Sequence, residues 1–258
     1  ARILLQQKMN ELALRDYDTL IKLNPSLPAA YIGRTNVWIH IGESERASDD
    51  YREAVNLEPG SAEEFQAARQ LAEAQCLHEQ GDYPGAIAKA SDVIDNSPED
   101  IAAFATRAVS FWYSEQCVES VDDFSKLLEL MPDAAHAYSG RGQVYAEMGE
   151  YDAAIADLNR AVEMAQQEKS RLSLAYALNG RGLAFAGLER FDEAEQDFEE
   201  SVQLCPKNAW LYYNRGLMYQ AMGEMEQARI ALEQSLEMND PPLTPRKRDR
   251  ATAFLATH

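Results

Sequence analysis

An internal period of 34 residues constrains this chain more than any other feature. Pro25 and Pro59 stand 34 apart, and each closes a similar run, Ile21-Lys22-Leu23-Asn24-Pro25 and Val55-Asn56-Leu57-Glu58-Pro59. Pro98 and Pro132 are again 34 apart. Arg107-Ala108, Arg141-Gly142, Arg181-Gly182 and Arg215-Gly216 follow at steps of 34, 40 and 34, and Ala154, Ala194 and Ala228 repeat the last two steps. Insertions of five residues near 60–66 and six near 166–171 account for the departures. A period of this length marks stacked supersecondary units, each too small to bury its apolar face alone.

Each period reads as two helices. Over residues 210–222, Leu211, Leu217, Met218 and Met222 recur at helical spacing, and Gly223 then breaks the helix. Ala228, Leu232 and Leu236 lie four apart on one face of a second stretch, which Asn239-Asp240-Pro241-Pro242 ends. Breakers recur at Gly42, Gly81 and Gly149, and no segment sustains strand alternation.

Small, aromatic, Ala and Pro residues fall at fixed offsets within the period. The last copy has Tyr212, Gly216, Tyr219, Gly223, Ala228 and Leu232; the one before has Gly182, Phe185, Phe191, Ala194, Phe198 and Pro206. Tyr138, Gly142, Tyr145, Gly149, Tyr151 and Ala154 carry it in the copy from Ala135. This pattern resembles the tetratricopeptide-repeat family. The resemblance implies an all-α fold: a right-handed α-solenoid of about six full helix-turn-helix repeats, a truncated N-terminal repeat and a C-terminal capping helix. The expected layout is one repeat domain over 1–258: a partial repeat 1–26, repeats 28–66, 67–100, 101–134, 135–174, 175–208 and 209–242, and a cap and tail 243–258. Two departures stand out in repeat 101–134: Ser120 replaces the usual Ala, and Glu115-Gln116-Cys117 replaces a turn with Gly.

Charges recur with the period too. Arg34, Arg107, Arg141, Arg181 and Arg215 share one slot, and sixteen residues later stand Asp50, Asp123, Asp157, Asp197 and Ala231. The remaining repeat has Glu73 with Lys89, both signs exchanged. A joint exchange is what a contacting pair predicts, so these residues are expected to form structural ion pairs between the two helices of a repeat, bidentate where Arg allows. Arg215 is left alone by this spacing. The competing reading is a ladder of Arg side chains that recognises an acidic ligand.

The resemblance also implies a concave groove lined by the first helix of each repeat, where a partner's peptide or helix binds. The positions that face it include Asn36, His40, Trp112, Tyr113, His136, Gln143, Tyr176, Asn179, Trp210, Tyr213 and Asn214. Tyr and Trp combine large contact area with a polar handle, which suits a binding surface. One subtype of the family clamps a chain-terminal carboxylate with groove Lys and Asn, and no groove Lys occurs here.

Composition narrows the partners. Asp and Glu number 43 against 24 Lys and Arg, giving a net charge of −19. Such a surface repels phosphate backbones, so nucleic acid is not expected, and a neutral or basic protein is. The basic run Arg246-Lys247-Arg248-Asp249-Arg250 is the exception, expected to rest against the acidic body. No apolar run is long enough for membrane insertion. Three scattered cysteines, Cys76, Cys117 and Cys205, fit a reducing, cytoplasmic location and no zinc site. Neither a metal, a cofactor nor a catalytic constellation is expected, so the chain reads as a non-catalytic scaffold or adaptor. Two alternatives stay open: an array that self-associates through its apolar N-terminal end, and the regulatory portion of a larger enzyme.

Overall fold

The structure, a computed structural model, describes residues 2–238 and 243–257, with side chains from Lys8 onward. The expected helix stop at 239–242 and the terminal His258 lie outside the described residues. Among the described residues the fold is all-α: fourteen α-helices, one 3-10 turn at Pro59–Ser61 and no strand. The chain forms two compact units, Ala1–Ser114 and Glu115–His258. The division falls between the two helices of repeat 101–134.

The first unit holds α1 (Arg2–Leu23), α2 (Pro28–Ile41), α3 (Ser44–Leu57), α4 (Ala62–Gln80), α5 (Tyr83–Asn96) and α6 (Ile101–Tyr113). Helix α2 packs on α3 and α4 on α5, while the first helices α2, α4 and α6 contact one another in series. The second unit holds α7 (Cys117–Leu130), α8 (Ala135–Met148), α9 (Tyr151–Gln167), α10 (Arg171–Gly187), α11 (Phe191–Leu204), α12 (Ala209–Met222), α13 (Met225–Glu237) and α14 (Pro245–Thr257). There α8, α10 and α12 form the inner series, each paired with its second helix α9, α11 or α13, and α14 packs on α13.

The repeated small residues set the distance between helices. Ala86, Ala154, Ala194 and Ala228 are fully buried, and Ser120, at the slot lacking Ala, is buried equally. A methyl group at Gly142 would lie 2.6 Å from Leu158 Cγ and 3.2 Å from the Ala154 carbonyl oxygen, so α8 and α9 meet there only because the side chain is missing. Phe124, Leu158, Phe198 and Leu232 are fully buried on the second helices. Both insertions are absorbed mainly by helix: α4 runs 19 residues and α9 runs 17, against 14 for α8 or α11.

The turns within repeats need a left-handed residue. Gly149 (φ 83°) donates its amide to Ala146 O, and Glu150 donates to Tyr145 O, which satisfies the last carbonyls of α8. At the matching turn forty residues on, Glu189 adopts φ 59° and the same two bonds form, Glu189 to Ala186 O and Arg190 to Phe185 O. Glu115 takes φ 65° in the repeat whose turn has no Gly. The left-handed turn is thus a property of the packing, kept even where a side chain strains it.

Candidate partner-binding face

The recurrent arginines fix how each second helix sits on its first. Arg34 donates from Nε and Nη2 to both oxygens of Asp50 at 2.7 and 2.6 Å. Arg141 does the same to Asp157 at 2.7 and 2.9 Å, and Arg181 to Asp197 at 2.7 and 2.8 Å. Their third arm, Nη1, points back to the preceding second helix: to Asp18 for Arg34, Ser125 for Arg141 and Asn159 for Arg181, at 2.6 to 2.9 Å. Arg107 likewise donates to Ser91 at 3.0 Å. One guanidinium therefore ties three helices, and hydrogen bonding to the carboxylates lifts Arg141 and Arg181 further above their ordinary pKa, against desolvation. In the exchanged repeat Lys89 and Arg69 both bond Glu73, at 2.7 and 2.9 Å. Burial alone would raise the Glu73 carboxyl, but these two cations together hold it below its ordinary value.

Arg215 corrects the reading from spacing. It has no acid sixteen residues on, yet it contacts Glu195 of α11, which also accepts from the Tyr219 hydroxyl at 2.7 Å. Arg34, Arg141, Arg181 and Arg215 all point into helix packing, with side chains mostly buried, which leaves no open ladder for an acidic ligand. The remaining expected pair, Arg107 with Asp123, has one member in each unit.

The face of the first unit carries Asn36, His40, Trp112 and Tyr113, all partly exposed. His40 Nδ1 lies 2.9 Å from the Asn36 carbonyl oxygen of its own helix. Trp112 meets Tyr113 edge-on at 5.7 Å, and Tyr113 joins His78 and Tyr83 in a ring cluster at 5.2 and 5.4 Å. His78 Nδ1 lies 3.0 Å from Ser110 Oγ, and burial pushes its pKa down, against a weaker pull from Glu79. Tyr113 is therefore held by its neighbours on α4 and α5. The side-chain oxygen Oδ1 of Asn36 is buried with no hydrogen-bond partner.

The second unit carries His136, Gln143, Tyr176, Asn179, Trp210, Tyr213 and Asn214. His136 is exposed, Gln143 and Tyr176 are partly exposed, and Gln143 Nε2 donates to Ser139 Oγ at 3.1 Å. Asn179 is 1% exposed, and its Oδ1 also lacks a partner. Trp210 and Tyr213 are 7% and 2% exposed. They were expected as open surface; instead α14 covers them. Lys247 Nζ sits 3.7 Å from the Trp210 ring centroid and 5.9 Å from that of Tyr213, and it bonds Glu147 Oε1 of α8 at 2.6 Å. Burial lowers the Lys247 pKa, and Glu147 offsets this only in part. Arg246 contacts Glu115. Burial also raises the Tyr213 hydroxyl, a shift that Arg250 opposes.

The helix pairs, their period and their inner series can now be set beside known proteins. A family profile described as tetratricopeptide repeat matches residues 133–207 and 174–240. Residues 133–240 are tetratricopeptide repeats. Among curated relatives of this TPR chain, DnaJ homolog subfamily C member 3 of Homo sapiens is 24% identical over 179 residues, 66% of this chain and 36% of that protein. Hsp70-Hsp90 organizing protein 3 of Arabidopsis thaliana is 27% identical over 115 residues, 45% of this chain and 20% of that one. Among solved structures, the APC/C hetero-tetramer Cut9-Hcn1 matches with a TM-score of 0.70 at 13% identity, over 96% of this chain and 45% of that one, a likeness of fold. The TPR chain spans little more than a third of the first relative's length. Repeats of this kind form protein-interaction scaffolds.

Among the described residues, no three His, Cys, Asp or Glu side chains gather to hold a metal, and no helix is long and apolar enough to cross a membrane. What the spacing missed on this face is α14 with Glu147. Their bond joins residues 100 apart, and only the basic run 246–250 hinted at it.

Proposed function

We propose that this TPR chain is a non-catalytic scaffold that holds a peptide or helix of a protein partner against the first helices of its repeats. The observation that carries this reading is α14. A helix from outside the repeat pattern packs on α13 and reaches α8 and α12 through Lys247, using an acid and two aromatic rings that the first helices present. His136, Gln143 and Tyr176 extend that face beyond α14's contacts with Trp210 and Tyr213. The unpartnered Oδ1 atoms of Asn36 and Asn179 favour the same reading, because a buried amide oxygen without a donor costs free energy that a bound backbone N–H would recover. The net charge of −19 selects a neutral or basic partner and speeds its approach at low salt.

The test is affinity capture with the full chain as bait and quantitative mass spectrometry. The wild type is compared with the His136→Ala/Tyr176→Ala variant and with Ile230→Ala, a change at an exposed position on second helix α13. Partners lost with the first variant and kept with the second support the reading. Partners lost equally with both would place binding elsewhere.

One observation favours self-association as a second reading. Helix α1 exposes Met9, Leu12, Leu20 and Leu23, the last by 78%. Light scattering over a range of concentrations decides it: a concentration-independent monomer mass removes this reading.

A further inference from the structure

Helix α14 sits on the second unit as a ligand would. It departs from the repeat pattern, and of its thirteen residues only Ala251 and Phe254 are buried. A terminal cap that secured the array would bury a continuous apolar stripe. Here charged contacts stand beside the two buried residues: Lys247 between the Trp210 ring and Glu147, and Arg246 on Glu115. Behind them the packing is incomplete. A cleft of about 390 Å³ remains between α14 and the α12–α13 pair, lined by Tyr213, Leu217, Leu232, Arg250 and Phe254. The chemistry is complementary: four of the five residues from Arg246 to Arg250 are basic, and the rest of the chain is strongly acidic. Desolvating the Lys247 ammonium works against its seat.

We propose that the first-helix face of the second unit is a docking site for a basic helix, that α14 is its resident occupant, and that a partner displaces α14 by seating its own lysine between the Trp210 ring and Glu147. This rests on reading that face as the partner-binding face and adds two things: the partner's chemistry and the need to evict α14. An ammonium over an indole face and beside a carboxylate is a well-matched cation site, because the ring face and the Glu147 carboxylate both attract positive charge. Because α14 is tethered, it competes at high effective concentration. The apparent affinity for a partner is then the intrinsic one reduced by the fraction of chain with the face open.

The test uses a fluorescein-labelled peptide of residues 244–257, titrated by anisotropy against three full-length chains: wild type, Lys247→Glu and Phe254→Ala. Lys247→Glu sets a carboxylate against Glu147, whereas Phe254→Ala loosens the other end of α14 and leaves Trp210 and Glu147 intact. Amide exchange over 245–257 is followed in each chain. The expected result is loss of α14 protection in both variants, with the peptide binding them at least tenfold more tightly than wild type. The same peptide carrying Lys247→Glu binds none of them. Equal binding to all three chains overturns the eviction and leaves a basic-helix face intact. No binding to chains whose α14 has lost protection overturns the docking chemistry and, with it, this part of the partner face. Unchanged α14 protection in both variants shows a fixed cap and also overturns the proposal.

Discussion

Removing Arg181 is the perturbation that separates a structural clamp from an incidental surface pair. Arg181→Leu deletes both donors to Asp197 and the arm to Asn159. The Asp197 side chain is only 7% exposed, so its carboxylate would stay in the α10–α11 interface without a cation. Losing one partner of a buried pair costs roughly 3 to 5 kcal/mol. The Arg181 side chain is 21% exposed, so water reaches the vacated site and the low end, about 3 kcal/mol, applies here. Against a typical domain stability of about 5 to 15 kcal/mol, that is a large fraction. The double variant Arg181→Leu/Asp197→Leu removes the stranded charge and keeps apolar volume between the helices. It should recover to within about 1 kcal/mol of wild type, because well-packed apolar replacements of buried pairs are close to neutral. The coupling energy is then at least about 2 kcal/mol. Repeat arrays can unfold in parts, so the assay is amide exchange by mass spectrometry on peptides from α10 and α11, which reports the local opening free energy. A single-variant loss below about 1 kcal/mol, or a double-variant loss equal to the sum of the singles, would refute the clamp.

Two further outcomes follow from the geometry. Folded Glu73 binds its proton less readily than the unfolded chain, so its contribution is complete above the ordinary value of 4.5 and is lost as pH falls through the lower folded value; Glu73→Gln should therefore destabilise at pH 7, with a deficit that shrinks as pH falls below that ordinary value in urea melts, and a deficit that stays constant into acid would contradict this. Glu189 occupies a left-handed turn that glycine fills in other repeats, so Glu189→Gly should stabilise by roughly 0.5 to 1 kcal/mol, read as a higher urea midpoint at unchanged slope; a lower midpoint would show that the turn is not strained.

The helix pairs were legible because their cause is local and repeated. Spaced apolar residues, a small residue at the crossing and a left-handed turn recur every 34 residues, and each leaves a mark in the sequence. The Arg-to-Asp spacing of sixteen was legible for the same reason, as with Arg141 and Asp157. The third arm of each arginine was also present at minus sixteen, in Asp18, Ser91 and Ser125, but a Ser is too common to signal a contact. For Arg181 the partner shifts to Asn159 at minus 22, which is the same slot displaced by the six-residue insertion. Arg215 and Glu195 were hidden because Ala231 breaks the spacing. Helix α14 itself was legible as a C-terminal helix, but its seat was hidden for a deeper reason: where it lies depends on Glu147, Trp210 and Lys247 meeting across the unit, and no local pattern encodes that. Trp210 and Tyr213 consequently read as open groove, when the chain itself covers them.

The face that receives a partner can be tested most directly by placing a photo-crosslinker on it. Full-length chains carrying p-benzoylphenylalanine at Tyr176 on α10, or at the exposed Ile230 on α13, are irradiated in cell extract with and without excess 244–257 peptide. A partner-binding first-helix face gives protein adducts at Tyr176 that the peptide suppresses, and few at Ile230. Adducts concentrated at Ile230, or adducts at Tyr176 that the peptide leaves untouched, would contradict it.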